Sequence, residues 1–400
     1  MDNKKLKVIW FCHFSSKELQ DSIIPHKRVN EYAPWIAGLI RLFENNENIE
    51  LHIVAQHERL SVSKYFKKNG INYHIVRKGI PLTGRHWPCF FRFDLWTNNY
   101  FWRIKTRQIV KNVKPDIIHL HGAENEFCTT IFQFYNKLPV FITIQGFISK
   151  SNADSTIVKK RKTNEFEILT TFTHFGYRTK TMGEDIKVIN SNAILHWHNY
   201  PLKEIKPIET RKKFDIVFFA RISKDKGIED LIQAVATIKQ NKTDISLCVI
   251  GGGNYSQFQN FANSLGLQEN ITWIGFLPTQ EDVHRIASQA KISVLPTYHD
   301  IISGTILESL FLKLPVVAYN VGSIHEVNEK EEIICLVNKY DIAGLANTIE
   351  YLLANPEVLK KRAEMGYLRA QEMFSNSDDK IRNSLLKAYE KVINDFKPLY

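Results

Sequence analysis

The chain alternates short runs of apolar residues with longer segments in which apolar residues return every three or four positions. Short apolar runs are typical of buried strands, and the longer period indicates helices that pack on them. This repeated order predicts α/β domains with parallel sheets and crossover helices. The predicted strands are residues 6–14, 50–55, 73–76, 117–120, 140–144, 215–220, 246–251, 271–274, 292–295, 315–318 and 333–336.

Helical periodicity is clearest at residues 32–43, 228–239, 255–265 and 283–290. A polar stretch with two prolines separates the two halves and is predicted to be a linker. Residues 375–379 read Ser-Asn-Ser-Asp-Asp, a pattern that caps helices, and an amphipathic helix should follow. The predicted organisation is a domain at 1–200, the linker at 201–213, a second domain at 214–374 and a C-terminal helix at 375–400.

Composition indicates a soluble globular protein, because 400 residues with 44% apolar content are too many for one compact core. No apolar run approaches the roughly 20 residues that span a bilayer, and the first run is too short and too polar for a signal peptide. The five cysteines are scattered without any C-x-x-C spacing, which argues against a disulfide framework or a zinc site. A reducing cytosol is therefore the expected compartment.

Positive charge is concentrated in the first half. Residues 1–200 hold 29 Lys and Arg against 17 Asp and Glu, whereas residues 201–400 hold 24 against 25. Residues 59–114, called here the basic window, contain 13 of these cations, a single acid and two aromatic-rich runs. Cations mixed with aromatics suit an anionic membrane surface, but a helix that buries its aromatics and solvates its lysines gives the same pattern. Nucleic acid is not expected, because no recognition motif accompanies the charge.

Two cations and a glycine follow the predicted strand at 215–220. Arg221 would leave the strand end, Lys226 would lie in the loop, and Gly227 would allow close backbone approach before the next helix. Cations at a helix N-terminus favour a diphosphate and stabilise the charge on a departing one. An ordinary solvated loop is the alternative. Three glycines at 251–253 could lie against a ligand or make only a sharp turn.

Another polar turn lies before a predicted helix. Ser303, Gly304 and Thr305 would point backbone N–H groups at a phosphate, while Glu308 would project from the first helical turn. A carboxylate there can accept two hydroxyl hydrogen bonds, and Asp300, eight residues earlier, adds a second carboxylate suited to sugar hydroxyls. Helix capping by Ser303 or Thr305 is the alternative.

Together these motifs resemble those of the family 4 (group 1) retaining glycosyltransferases of the GT-B fold. That family carries a G-R-x-x-x-x-K-G turn, a G-x-G turn and an E-x7-E segment followed by P-V-V-A. The corresponding segments here are Ala220-Arg221 to Lys226-Gly227, Gly251-Gly252-Gly253, Asp300-x7-Glu308 and Pro315-Val-Val-Ala318. The resemblance spans roughly residues 215–327. It implies two facing Rossmann-like domains with a cleft between them and a C-terminal helix that can cross back to the first domain.

The resemblance also implies roles for the matching residues. Arg221 and Lys226 would bind the donor diphosphate and Asp300 the donor sugar, as catalytic residues. The second domain would hold the nucleotide-sugar and the first would receive the acceptor. The implied donor-binding residues are Gly251, Gly252, Ser303, Gly304, Thr305 and Glu308, with Glu308 on the ribose.

In the first half, residues 115–122 read Pro-Asp-Ile-Ile-His-Leu-His-Gly and resemble the family segment whose second histidine lies beside the reacting sugar. His121 is therefore the expected catalytic histidine. His119 shares its face of the strand, so the two could instead form a metal pair, but a third ligand of comparable spacing is missing. Gln145 stands where relatives often have a histidine; it could bind a sugar hydroxyl but cannot act as an acid or base.

Further positions depart from the family pattern. Asp300 is one methylene shorter than the usual glutamate, and residues 12–16 lack the glycine pair that many relatives place after the first strand. No two aspartates are separated by one residue, so the D-x-D metal clamp of the other large glycosyltransferase fold is absent. Transfer without a metal or cofactor is expected, with Arg221 and Lys226 stabilising the departing diphosphate, whose oxygen would accept the proton of the incoming hydroxyl.

The predicted function is retaining, hexosyltransferase-type transfer from a nucleotide-sugar, with UDP expected, to a glycan or polyprenyl-diphosphate-linked acceptor in bacterial surface polysaccharide biosynthesis. The expected location is cytoplasmic, peripheral on the inner face of the cell membrane, with the basic window against anionic lipid. Two rivals stay open: a nucleotide-sugar epimerase or phosphorylase of the same fold, and a non-catalytic basic protein that binds a membrane or nucleic acid.

Overall fold

The computed structural model describes residues 5–13, 19, 23, 33–57, 60–78, 96–151, 153–201, 205–374 and 377–398. The chain divides into two compact units. The N-terminal unit comprises Met1–Lys203 and Asn376–Tyr400, and the C-terminal unit comprises Glu204–Ser375. Each unit is built on one sheet, so the prediction of two α/β domains is confirmed.

An eight-stranded sheet forms the N-terminal unit, in the spatial order β3-β4-β2-β1-β5-β6-β7-β8. Its strands are β1 Leu6–Phe11, β2 Ile49–His57, β3 Lys64–Lys68, β4 Ile71–Arg77, β5 Ile117–His121, β6 Val140–Thr143, β7 His174–Tyr177 and β8 Ile194–Trp197. Neighbouring strands are parallel, except that β3 pairs antiparallel with β4.

The β3–β4 hairpin shows that the prediction of wholly parallel sheets was wrong for the first half. Asn69 and Gly70 have φ values of +50° and +80°, as the two central residues of a type I′ turn require. The edge strand β3 reads Lys-Tyr-Phe-Lys-Lys and is mostly exposed. Strands β7 (His-Phe-Gly-Tyr) and β8 (Ile-Leu-His-Trp) were not predicted either, because neither contains an apolar run longer than two residues.

Six parallel strands form the sheet of the C-terminal unit, in the order β11-β10-β9-β12-β13-β14. They are β9 Phe214–Phe219, β10 Leu247–Ile250, β11 Ile271–Gly275, β12 Ala290–Leu295, β13 Val316–Tyr319 and β14 Cys335–Val337. In β9, Ile216 and Phe218 pack into one apolar cluster, and Val217 and Phe219 pack into another. Strands that are largely buried read as mostly apolar runs, and all six were predicted.

The helices are α1 Pro34–Arg41, α2 Tyr100–Val113, α3 Thr156–Thr171, α4 Lys180–Ile189, α5 Ile228–Lys239, α6 Ser256–Ser264, α7 Gln280–Ala287, α8 Gly304–Phe311, α9 Ile342–Ala354, α10 Pro356–Phe374 and α11 Asp378–Asp395. Helix α7 starts three residues before the predicted 283–290, and Ala290 already belongs to β12. The side chain of Ser377 caps α11 by accepting the Lys380 N–H. Helix α11 packs on the core of the N-terminal unit, as the fold prediction allowed.

Strand order reverses once in each sheet. The reversal lies between β9 and β12 in the C-terminal unit and between β1 and β5 in the N-terminal unit. Ligands of open α/β sheets bind outside the carboxyl ends of the strands at such a switch point. Each unit therefore has one preferred edge for a ligand.

Candidate active site

Two loops meet at the switch point of the C-terminal unit, one after β9 and one after β12. Gly227 has a φ of +75°, and a Cβ atom there would come within 1.9 Å of the Pro296 carbonyl oxygen. Glycine is required for this approach. The Tyr298 N–H also donates to the Asp225 carbonyl at 2.9 Å. These contacts hold the two loops together beside the ends of neighbouring strands.

Lys226 and Asp300 come together across these loops. The Lys226 Nζ lies 2.6 Å from Oδ2 of Asp300, and the Thr297 hydroxyl donates to the same oxygen at 2.9 Å. The two charged side chains are 19% and 21% exposed. Oδ2 therefore accepts two hydrogen bonds, and the lone pairs of Oδ1 are left for another donor.

Arg221 lies in the same loop but pairs with a different carboxylate. Its Nη2 is 2.7 Å from Oδ2 of Asp225, and its side chain is 66% exposed. Burial raises the pKa of Asp225, but the hydrogen bond with Ser223 and the Arg221 guanidinium outweigh it, so this pKa lies below its ordinary value. The guanidinium has five N–H donors, so Arg221 can keep Asp225 while it contacts a phosphate.

Glu308 projects from the second turn of α8, because the helix begins at Gly304. The prediction that it projects from the first turn was wrong. Its Oε2 lies 2.9 Å from Nε2 of His284 and also accepts a hydrogen bond from Gln280. Its Oε1 faces back along the helix, since a Cβ atom on Gly304 would lie 3.9 Å from it.

The N-terminus of α8 keeps unused backbone donors. Ser303 is the N-cap residue, but its side chain makes no capping hydrogen bond. The Thr305 hydroxyl donates instead to the Phe219 carbonyl at 2.8 Å. Side-chain capping, the alternative interpretation, is therefore not found at these residues. The first N–H groups of a helix have no intrahelical acceptor, and those of Gly304 and Thr305 can bind an anion.

Packing explains the first glycine of the turn at 251–253. Gly251 has a φ of +155°, and a Cβ atom there would lie 1.8 Å from the Ala220 carbonyl oxygen. Gly252 has an ordinary φ, and its nearest neighbour, Phe276, would be 3.5 Å from an added Cβ. The sharp-turn interpretation therefore holds for Gly251, whereas Gly252 has room beside it.

In the N-terminal unit, β5 ends in two histidines in ring contact, His119 and His121, whose ring centroids are 3.7 Å apart and whose planes are tilted by 33°. His119 Nδ1 lies 2.7 Å from the Tyr389 hydroxyl, and Nε2 lies 2.7 Å from the Thr143 hydroxyl. The Trp10 indole N–H donates to the Tyr389 oxygen at 2.8 Å, which leaves the Tyr389 O–H to donate to Nδ1. We therefore assign His119 as the neutral Nε2–H tautomer. Both its nitrogens are occupied, which disfavours the metal-pair interpretation.

His121 is fully buried, and within the described residues neither of its ring nitrogens has a hydrogen-bond partner. Burial lowers its pKa well below the ordinary value, and the neighbouring His198 adds to the effect. Burial likewise lowers the pKa of His198 to about 3. His121 is thus a neutral imidazole with spare hydrogen-bonding capacity.

Gln145 follows β6, at the same edge of the sheet. Its Nε2 donates to the Tyr200 hydroxyl at 3.0 Å, and the Arg178 guanidinium donates to its backbone carbonyl at 3.2 Å. The amide is partly buried. The structure thus places Gln145 and His121 on adjacent strands of the N-terminal unit.

A cavity of about 150 Å³ at the N-terminal switch point was missed by the sequence reasoning. Next to it, Glu124 is partly buried, and desolvation of its carboxyl raises its pKa to about 7. The Arg161 Nε donates to the Glu124 carbonyl at 2.6 Å. The sequence signal for this cavity was only that several polar residues directly follow predicted strands. The lining residues are Cys12, His13, Gln56, Lys78, Asn125, Glu126, Phe127 and Arg161.

The described part of the basic window has a mixed surface. Helix α2 buries Trp102, but Tyr100 and Ile104 are 51% and 40% exposed, and Trp96 is 74% exposed. Residues 79–95, which contain most of the first aromatic run, lie outside the described residues. Among the helices that are described, none combines the length and apolar character needed to cross a bilayer. Contact with a membrane surface stays a prediction.

Across the described ranges, no three His, Cys, Asp or Glu side chains converge as metal ligands do. The cysteines described there are buried and unpaired, and Cys89 lies outside them.

Sequence comparison confirms the resemblance. Residues 202–369 match the family described as "Glycosyl transferases group 1". The alpha-D-kanosaminyltransferase of Streptomyces kanamyceticus is 25% identical over 150 residues, which are 37% of this chain and 39% of that relative. The capsular polysaccharide biosynthesis glycosyltransferase CapM of Staphylococcus aureus is 26% identical over 163 residues, 41% of this chain and 43% of the relative. Each match spans less than half of the relative's length.

Structural comparison covers nearly the whole chain. The crystal structure of Anabaena HepE in complex with UDP and glucose aligns with a TM-score of 0.69 at 12% identity, covering 96% of this chain and 100% of that one. At 12% sequence identity, this likeness shows a shared fold and nothing more. The predicted GT-B fold is confirmed.

Proposed function

We propose that this chain, which resembles the group 1 glycosyl transferases over residues 202–369, transfers a sugar from a UDP-sugar with retention of configuration. The observation that carries the proposal lies at the switch point of the C-terminal unit. There Lys226 pairs with Asp300 four residues before α8, and Glu308 faces back toward the first residue of that helix. Charged and polar groups suited to phosphate, ribose and sugar thus occur at one sheet edge.

Each part of the donor has a suitable partner. The N–H groups of Gly304 and Thr305 and the Lys226 ammonium would bind the phosphates. Lys226 has three N–H donors, so it can keep Asp300 while it contacts a phosphate. Glu308 Oε1 would accept ribose hydroxyls, and Asp300 Oδ1 a hydroxyl of the sugar. The likeness to HepE, which is described with UDP and glucose, supports this arrangement.

The proposed reaction breaks the bond between the anomeric carbon and the diphosphate oxygen and forms one between that carbon and the acceptor oxygen. The acceptor proton passes to the departing diphosphate oxygen on the same face, so no separate base is needed. Lys226, Arg221 and the N-terminus of α8 stabilise the departing charge, and no metal or cofactor is required. His121 would contact the sugar as a neutral hydrogen-bonding group.

The N-terminal unit would receive the acceptor, a glycan or a glycan on polyprenyl diphosphate, in surface polysaccharide assembly. The cavity beside Glu124 and Arg161 lies at the switch point of that unit, where ligands of such sheets bind. The excess of cations in the first half suits an acceptor with an anionic anchor. Trp96 and Tyr100 are exposed in the basic window and suit a peripheral position on the cytoplasmic membrane face.

Nucleotide release tests this function and separates it from its rivals. We expect purified protein with a chelator to release UDP from a UDP-sugar only when a glycolipid acceptor is added, and the product to keep the donor's anomeric configuration by NMR. Conversion of the donor to another nucleotide-sugar without acceptor would indicate an epimerase. A reaction that requires added inorganic phosphate would indicate a phosphorylase. Failure to bind any nucleotide would favour a non-catalytic binding protein.

A further inference from the structure

The carboxylate of Glu308 is held by two side chains of a neighbouring helix. Gln280 and His284 lie one turn apart on α7, and their Nε2 atoms converge on the same oxygen, Oε2. The two nitrogens are 3.3 Å apart because they share this acceptor. Since Oε2 is a carboxylate oxygen, we assign His284 as the tautomer with a proton on Nε2.

The opposite oxygen is left for a ligand. In the part of the chain that the structure describes, no donor contacts Oε1, which faces the first residue of α8. Two hydrogen bonds saturate Oε2, so the carboxylate can neither rotate freely nor exchange its oxygens without losing both. The His284 side chain is only 11% exposed, and that of Glu308 is 25% exposed, so this arrangement is partly shielded from water.

We propose that His284 and Gln280 are positioning residues that orient Glu308 for the hydroxyls of a ribose. The inference rests on the proposed donor site and deepens it. A carboxylate fixed in the bound geometry avoids the entropy cost of ordering it when the nucleotide arrives. Removal of His284 would leave Glu308 held by Gln280 alone and less firmly oriented, so the ribose contact would weaken while the phosphate contacts at α8 would persist.

This separation can be measured with two ligands. Calorimetric titration of UDP and of 2′,3′-dideoxy-UDP, which lacks both ribose hydroxyls, gives a dissociation constant for each variant. We expect His284→Ala to weaken UDP binding about tenfold, as loss of a hydrogen bond to a charged group does. Binding of dideoxy-UDP should stay within about twofold of the wild type. Gln280→Ala should show the same pattern with a smaller loss.

Controls separate positioning from folding. Arg285→Ala changes an exposed side chain of the same helix and should leave both dissociation constants unchanged. His284→Gln supplies an N–H donor and should recover part of the UDP affinity. Equal weakening of both ligands by His284→Ala would show a merely structural role and overturn the inference, as would no weakening of either. If wild-type protein binds neither UDP, GDP nor ADP, the proposed donor site itself fails; if GDP or ADP binds, its dideoxy analogue replaces dideoxy-UDP.

Discussion

The two units place different kinds of side chain at the switch points of their sheets. The C-terminal unit presents partly exposed charges, with Lys226 on Asp300 and His284 on Glu308. The N-terminal unit presents buried neutral rings, with His121 in contact with His119. Partly exposed charged groups can contact an anionic ligand, whereas burial of a ring favours its uncharged form. Under the proposed function, the C-terminal unit would stabilise charge, and the N-terminal unit would make a rigid, neutral contact.

The largest expected effect concerns the charge of the C-terminal site. Lys226→Ala should lower the turnover number roughly 10²–10³-fold, because a preorganised cation facing the departing diphosphate is lost. The turnover number is measured as acceptor-dependent UDP release at a saturating donor concentration. The matched control is Lys224→Ala. Lys224 lies two residues before Lys226 and pairs with Glu229 at the surface. A Lys226→Ala enzyme with near-native turnover would remove this cation from the mechanism.

Acid should destabilise the N-terminal unit more than the C-terminal unit. His119, His121 and His198 are buried with pKa values below the ordinary one, so the unfolded chain binds protons that the native state does not as pH falls below about 6.5. Their stabilisation is present above that pH and is lost below it. Between pH 7.5 and 5.5 the three together should cost about 4 kcal/mol. Glu124, whose pKa is raised to about 7, offsets about 2 kcal/mol of this loss.

These four groups together predict a loss of about 2 kcal/mol from the N-terminal unit at pH 5.5. Pulse proteolysis in urea at pH 7.5 and 5.5, with fragments assigned to each unit, measures it. His198→Leu should flatten the pH dependence, whereas His325→Gln in the C-terminal unit should not. Equal acid sensitivity of the two units would contradict the assignment of neutral, buried histidines to one of them.

A single hydroxyl from the far end of the chain supports the histidine pair. Tyr389→Phe removes the oxygen that links the Trp10 N–H and His119 Nδ1, leaving two buried polar groups unpaired. The free energy of unfolding should fall by about 1–2 kcal/mol in urea titrations. Tyr351→Phe alters a half-exposed ring and should change it little. No loss in Tyr389→Phe would mean that the hydroxyl does not order these rings.

The smallest effect is expected at the first residue of α8. Gly304 has open space where a Cβ atom would stand, so Gly304→Ala should change the free energy of unfolding by less than about 1 kcal/mol. The added methyl would stand near Glu308 Oε1, where the nucleotide is proposed to bind. UDP affinity by calorimetry should therefore fall severalfold while stability is kept. Unchanged affinity would move the ligand away from this helix terminus.

The C-terminal unit was the more predictable of the two. Its strands are mostly apolar runs, and Lys226, Asp300 and Glu308 lie in short motifs that follow two of them. The site residues could therefore be identified from short segments of the sequence. The hydrogen bond between His284 and Glu308 was missed because His284 lies 24 residues earlier on another helix.

The N-terminal unit was harder to predict for physical reasons. Strand β3 is an exposed edge with mostly charged residues, so it lacks apolar alternation, although Asn69-Gly70 was a usable turn signal. His119 depends on Tyr389, 270 residues away, and no spacing rule joins them. Burial of His121 likewise follows from packing that no local motif specifies.

Hydrogen exchange with mass spectrometry on the full chain tests the central claim, that the C-terminal switch point holds the nucleotide. With UDP at about 100 times its dissociation constant, which would add roughly 2.7 kcal/mol of stability, we predict slower exchange in peptides covering 223–227 and 296–308. Peptides around His121 should change little, and the protection should be lost in Glu308→Ala. Protection confined to the N-terminal unit, or none with UDP, GDP or ADP, would contradict the account.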